Sequence, residues 1–303
     1  MSHRLAVFIP ILFVFIYGSG FVGINLGLPF TDPFTFLALR FLLTSSLLLL
    51  LALIIKAQWR LDKLKWLVAS GFLLQGVFSI GVLYAQYFGM KPAVAALIIA
   101  LQPLLVAVLG GFYLGERVNM QRWLGLIIGI IGVSFVVADG LSTEGITLAS
   151  LSWCLVGLLG LTAGQLIQKK HCASMSLVVG GGVQSSSAGI AMALGALLFE
   201  PLSVIWSTEL MIGLLWMAVG VSIGALSLLY LMLRHSTANQ VASVFYGVPV
   251  AAALVAWPIF GHIPETIDWL GFAIVALSII VANTHIRFRY PLWLRDVLKV
   301  SKL

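Results

Sequence analysis

The sequence predicts an all-α polytopic membrane protein: ten transmembrane helices, arranged as two inverted five-helix repeats. Three observations carry this expectation. The chain is 61% hydrophobic and only 9% charged, where a soluble domain carries roughly a quarter charged residues. A block of residues recurs without a gap: Tyr84, Pro103, Gly115 and Trp123-Leu124-Gly125 return 146 positions later as Tyr230, Pro249, Gly261 and Trp269-Leu270-Gly271. The basic residues fall almost entirely in alternate loops. A transmembrane barrel is excluded because its strands would alternate polar and apolar over about ten residues, and the apolar stretches here are continuous.

Apolar segments are expected at 5–28, 35–55, 64–87, 93–114 and 122–138, then at 146–167, 176–199, 210–233, 239–260 and 267–283. Each is near the ~20 residues that cross a hydrocarbon layer. The first is too long for the apolar region of a signal peptide and lacks a small-residue cleavage site, so it reads as a retained span. The units are 1–139, 140–286 and a basic tail, 287–303. Five spans per unit force the second copy to sit upside down relative to the first, the usual plan of a secondary transporter.

Orientation follows from the rule that cytoplasmic loops carry the Lys and Arg excess. With the N-terminus inside, 15 of the 17 basic residues fall in cytoplasmic segments. Lys91 alone falls in an outside loop, and Arg40 lies within a span. Acids show the opposite bias: Asp32, Asp139, Glu144, Glu200, Glu209, Glu265 and Asp268 lie outside. The expectation is a multi-pass protein of the cell (inner) membrane with both termini cytoplasmic. The net charge of +7 then needs no nucleic-acid partner. Cys154 and Cys172 have no metal-ligand spacing and read as free thiols. No metal or cofactor is expected.

Several residues stand out within the spans. Pro103 and Pro249 each fall about halfway along one. Proline lacks an N–H and clashes with the carbonyl four residues back, here that of Ile99 or Phe245. Exposed backbone at membrane depth is tolerated where it lines a wet cavity or packs in protein, so the pair are either kinks around a central site or purely structural kinks. Arg40 is a charge well inside a span, where insertion costs at least ~3 kcal/mol. It reads as a cavity cation for a substrate carboxylate or as a structural arginine bonded to helix ends. Polar side chains in the spans include Asn25, Gln75, Ser79, Gln86, Gln165, Gln184, Ser222, Asn239 and Ser243. Some must line a path, and others hold helices together. Glu116 and Arg117 form an inner gate or a structural ion pair. The GxxxG spacings, such as Gly160/Gly164, predict close helix contacts.

The stretch Tyr17-Gly18-Ser19-Gly20-Phe21-Val22, then Leu39-Arg40-Phe41, Leu101-Gln102-Pro103, Leu114-Gly115-Glu116-Arg117 and Trp123-Leu124-Gly125 together resemble the EamA branch of the drug/metabolite transporter superfamily. The resemblance implies a ten-helix inverted-repeat carrier of small metabolites, often amino acids and often outward. It also implies that spans three, four, eight and nine border the cavity. That ranks Tyr84 and Tyr230 first, being matched by the repeat, followed by Gln102, Tyr246 and Trp216. Two positions depart from the family pattern. Tyr17 stands where tryptophan is usual, and His262 replaces the acid that Glu116 supplies in the first copy.

A carrier is therefore expected, with a small-molecule substrate, the lipid bilayer as its other partner, and a monomeric or homodimeric state. Small-multidrug-like efflux of organic cations would need a buried acid, and no Asp or Glu lies in the middle of a span. An intramembrane enzyme would need paired acids, a metal cluster or an activated nucleophile. No H-E-x-x-H motif occurs, and Ser19 has no partner histidine within its span. The lack of a mid-membrane acid also favours facilitated diffusion or exchange over a proton relay. In the tail, Pro291 can open a helix. Trp293, Val297 and Val300 then recur at helical spacing beside Arg295, Lys299 and Lys302. That pattern suits an in-plane anchor on anionic headgroups or an unstructured tail that only fixes topology.

Overall fold

The computed structural model describes residues 3–59, 63–90, 95, 98–116, 118–136, 147–260 and 266–283. Lys91, Arg117, Gly261-His262 and the tail helix expected after Pro291 lie outside the described residues, as does the side chain of Asn25. The described helices group into ten rods. α1 comprises His3–Gly18 and Gly20–Gly27, broken at Ser19. It is followed by α2 (Pro33–Ile54), α3 (Leu64–Tyr87), α4 (Gln102–Leu114) and α5 (Met120–Val136). The second set is α6 (Leu148–His171), α7 (Leu177–Phe199), α8 (Thr208–His235), α9 (Ala238–Val244 and Gly247–Phe260) and α10 (Thr266–Asn283). α2, α3, α6, α7 and α8 are each long and apolar enough to cross a membrane. Leu197, Leu198 and Phe199 are among many large apolar side chains that point outward. In a helical bundle of this composition such a surface faces lipid, so the chain is an all-α polytopic membrane protein.

The pairing of the rods follows the duplication. The most extensive contacts join α2 to α7 and α5 to α10, each pair being counterparts in the two copies. Each pair is antiparallel. α2 begins where α7 ends, because the Glu200 carboxylate accepts the backbone N–H groups of Phe34 and Thr35 at 2.7 and 2.8 Å. α5 begins where α10 ends, because Gln121 Nε2 donates to Val281 O at 2.8 Å. Counterparts that run in opposite directions are what an inverted duplication requires. Contacts of α3 with α6 are likewise mirrored by those of α8 with α1.

Helix starts are set locally by capping. Thr237 and Gln240 form a reciprocal capping box at the start of α9, Thr147 and Ser150 another at α6, while Ser176 and Ser207 cap α7 and α8. Each satisfies backbone donors that a helix leaves orphaned. α2 starts with Asp32-Pro33 and has no side-chain cap of its own, which is why Glu200 serves it from α7. At the end of α4, Gly115 takes the left-handed conformation (φ 70°), which glycine adopts without steric cost.

The regular helices are interrupted at matched places. α3 passes through a π-helical stretch, Phe72–Val77, and α8 through another, Trp216–Ala225. The first, moved 146 positions, falls inside the second. Ala100–Leu101 forms a turn before α4, with Leu101 N bonding Ile98 O and Leu104 N bonding Leu101 O, both at 3.0 Å. α9 breaks at Phe245–Tyr246, where Phe245 N bonds Ala242 O and Val248 N bonds Phe245 O, again at 3.0 Å. These three-residue bonds replace the four-residue ladder where Pro103 and Pro249 cannot join it.

Candidate functional site

A cavity lies between α1, α2, α3 and α8, and no described residue of α4 or α9, the spans also expected to border it, lines its wall. α1 supplies Tyr17 and Gly20, on either side of Ser19, to its wall. The two π-helical stretches supply Leu74 and Gln75 from one copy, and Met217 and Val221 from the other. π-turns often mark functional sites because they re-aim side chains that a regular helix would point elsewhere. About 50 Å³ of the cavity is open to water, room for a few molecules. A metabolite-sized solute requires the walls to part further.

Arg40 lines this cavity and is buried. Its Nε donates to Ser222 Oγ at 2.9 Å, and its guanidinium carbon lies 4.8 Å from the centre of the Phe41 ring. No carboxylate among the described residues pairs with it. Gln75 is held at both ends: Ser185 Oγ donates to its Oε1 at 3.1 Å, and its Nε2 donates to Tyr230 OH at 3.2 Å. Ser79 and Tyr17 bring hydroxyls to the same wall. The remaining lining is apolar, including Ile24, Phe41, Phe78, Val82, Leu83 and Leu226. Among the described residues the wall carries one fixed positive charge and a few hydroxyl and amide groups in an otherwise apolar chamber.

Aromatic rings close one end of the chamber. Tyr17 stacks on Phe13 at 5.1 Å and on Phe78 at 6.5 Å, and meets the edge of Phe245 at 5.5 Å. Ser19 and Phe245 thus place two helix breaks beside one aromatic layer. Beyond it Leu161, Leu229, Leu233 and Val241 form a dry core. A second core, around Phe36, Leu37, Leu210 and Leu214, seals the other side.

Of the residues singled out from sequence, Arg40 lies on the cavity wall. Tyr230 reaches it through Gln75. Pro103 sits in the first turn of α4 and Pro249 is buried near the start of the second part of α9. Gln102 is fully buried and donates to Gln165 Oε1 at 2.7 Å; Gln165 Nε2 donates in turn to Ala238 O. Tyr246 packs against Gly129 and donates to Leu126 O at 3.0 Å. The Trp216 indole N–H donates to Ser19 Oγ at 3.0 Å, fastening α8 to the break in α1. Tyr84 lies in a separate aromatic group with Trp153, Phe34 and Phe88. Glu116 accepts the backbone N–H groups of Ala238 and Asn239 and the Asn239 amide, at 2.9–3.3 Å. The left-handed turn at Gly115 delivers it there. Tyr17, Ser79 and Ser222 complete the site. Ser79 and Ser222 were visible as polar groups within spans, and Tyr17 as a substitution in the opening motif.

Discontinuous helices around a partly polar cavity, inside a bundle with a lipid-facing exterior, define a membrane transporter. Residues 4–138, the first five-helix unit, match the EamA-like transporter family. The chain is 26% identical over 294 residues to the "Uncharacterized transporter YvbV" of Bacillus subtilis, covering 93% of this chain and 92% of that protein. It is 23% identical to the "Uncharacterized inner membrane transporter YedA" of Escherichia coli K12, covering 88% and 87%. A third relative, named "Probable amino-acid metabolite efflux pump" in the same strain, is 26% identical over 185 residues, 59% of this chain and 60% of its own. A crystal structure with 17% sequence identity shares the fold at a TM-score of 0.77, covering 93% of this chain and 98% of the other.

Proposed function

We propose that the protein is a secondary carrier, an exporter or exchanger of small carboxylate-bearing metabolites such as amino acids and their relatives. In this reading the solute crosses at the Arg40 cavity, between the unit 1–139 and the unit 140–286. Ten spans lie in the inner membrane with both termini cytoplasmic, so the face bearing Lys63, Lys65, Lys169 and Lys170 is the inner one. The observation that carries the reading is Arg40: a buried cation with no acidic partner among the described residues, on the wall of a cavity built by four helices. A fixed charge at that depth is costly, and a solute carboxylate bound to the guanidinium offsets the cost while the solute is aboard. The likeness to a relative named for amino-acid metabolite efflux supports the same class.

Movement follows from the interruptions. The breaks at Ala100–Leu101 and Phe245–Tyr246 let half-helices swing without breaking a full ladder of hydrogen bonds. Pro103 and Pro249 keep those breaks open. Tyr230 keeps Gln75 in place, and displacement of the Tyr17–Phe245 aromatic layer opens the inner side. Efflux of organic cations fits poorly, because the cavity is itself cationic.

The test is uptake of a labelled amino acid or 2-hydroxy acid into proteoliposomes holding purified protein. Arg40→Met is expected to abolish uptake of anionic and zwitterionic solutes, and Arg40→Lys to retain part of it, since an ammonium keeps the charge but lacks the guanidinium fork. Wild-type uptake by a correctly inserted Arg40→Met protein moves the path away from this cavity.

A further inference from the structure

The cavity's charge balance narrows the solute further, given that the carrier reading of this site holds. Arg40 supplies one positive charge. The acids of the chain stand at positions 32, 62, 116, 139, 144, 200, 209, 265, 268 and 296. Among the described ones, Asp32, Glu116 and Glu200 lie beyond helix ends, Glu209 stands in the first turn of α8, and none lines the cavity. A solute with one carboxylate and no other charge neutralises the chamber. A zwitterion brings an ammonium as well, and that ammonium finds no carboxylate among the described residues of the wall.

Polar side chains on the wall do not replace the missing acid. Gln75 Oε1 already accepts from Ser185 Oγ, and Gln75 Nε2 is engaged with Tyr230. Ser222 Oγ accepts from Arg40. Ser79 and Tyr17 remain as single hydroxyls, each able to donate to or accept from a neutral group. A hydroxyl or keto oxygen beside the carboxylate meets that pair well. A desolvated ammonium needs charge compensation that two hydroxyls do not provide, and it stands close to a guanidinium of like charge. The rest of the wall, with Leu74, Phe78, Val82 and Met217, suits an apolar tail.

We infer that the Arg40 cavity selects amphiphilic monocarboxylates whose carbon next to the carboxylate bears an uncharged substituent (hydrogen, hydroxyl or oxo) over the matching amino acids. The carboxylate sits on the guanidinium, the C2 oxygen meets Ser79 or Tyr17, and the apolar tail lies against the wall.

The test uses solutes that differ at one point: 3-phenyllactate, phenylpyruvate, phenylalanine and 2-phenylethylamine. Binding to the full-length protein in nanodiscs is read by thermal shift, and passage by flux from proteoliposomes at pH 7.5 against protein-free vesicles. Phenyllactate or phenylpyruvate is expected to bind at least tenfold more tightly than phenylalanine, and the amine not at all. Ser79→Asp, which adds the missing acid, is expected to shift the phenyllactate-to-phenylalanine ratio at least tenfold toward phenylalanine. Phenylalanine equal to or better than its hydroxy counterpart in the wild type overturns the selectivity while leaving the carrier reading intact. If Ser79→Asp does not fold, the wild-type ratio still decides. Binding of the amine alone, or of none of the carboxylates by folded protein, overturns the carrier reading of the cavity and this inference with it.

Discussion

Gln75 owes its orientation to two hydroxyls, one from each side. Ser185 holds its carbonyl and Tyr230 its amide, so its stem rather than its polar head controls the shape of the wall. Tyr230→Phe removes the acceptor and leaves a buried donor that costs about 1–3 kcal/mol if unsatisfied. The cheapest relief is for the amide to turn into the cavity, toward water or solute. The variant is expected to stay folded, with a lower Tm and a several-fold change in apparent solute affinity in proteoliposome uptake. Unchanged affinity removes Tyr230 from the site. Arg40 was legible from sequence because a charge within a span is rare and expensive. Gln75, Ser79 and Ser222 were legible as candidates but could not be ranked. Their facing depends on π-turns, and one extra residue rotates everything after it by about 100°. A helical wheel drawn through Phe72–Val77 therefore points its second half the wrong way. No proline announces either π-stretch. Close packing accompanies the first one: Gly164 admits α6 so near that a Cβ there would stand 2.6 Å from Leu74 N, and Gly160 faces Val77.

Two carboxylates act alike at the level of helices. Glu200, at the end of α7, caps the start of α2, and Glu116, past the end of α4, caps the start of α9. Each joins one five-helix unit to the other, and the two caps lie on opposite faces of the bundle. Sequence left Glu116 open between a gate and an ion pair. Its partners in the structure are N–H groups that no side-chain motif records, and Arg117 lies outside the described residues. A helix cap is worth about 0.5–2 kcal/mol, more when charged, and about 1.4 kcal/mol changes an equilibrium tenfold. Each cap is therefore strong enough to bias which face is open. Glu116→Gln is expected to speed maleimide labelling of a cysteine placed at Ser243 from the Lys169 face, by several-fold. Glu200→Gln is expected to do the same for a cysteine at Ser79 from the opposite face. The native thiols leave a low background: Cys154 and Cys172 are buried, and burial pushes the Cys172 thiol up from its ordinary pKa. Labelling rates equal to those of the capped protein would show that neither carboxylate holds a face shut.

Over the whole molecule, the duplication sets what pairs with what. The repeat of Pro103 and Pro249 foretold two matched interruptions, and the chain turns at Ala100–Leu101, before α4, and at Phe245–Tyr246, within α9, just ahead of those prolines. The repeat says nothing of Ser19, which breaks α1 while its counterpart region in α6 runs unbroken from Leu148 to His171. Symmetry of the units is thus incomplete where the cavity is, and a local break of this kind carries no periodic signal. Inversion predicts something stronger, that counterpart helices touch end to start. Gln121, at the start of α5, reaches Val281, near the end of α10, and a Cβ on Gly132 would stand 2.8 Å from the backbone of Val275 midway along. Paired cysteines at Gln121 and Val281 are expected to be joined by a short bifunctional maleimide in native membranes. A pair at Gln121 and Thr266 is not, because the 18 residues of α10, at about 1.5 Å each, set those ends roughly 27 Å apart. A parallel duplication would give the reverse result, since the starts of α5 and α10 would then share a face. The crosslink at Gln121 and Val281 is also expected in both Glu116→Gln and Glu200→Gln proteins. No described residue of α5 or α10 lines the cavity, so this flank is expected to stay together whichever face is open.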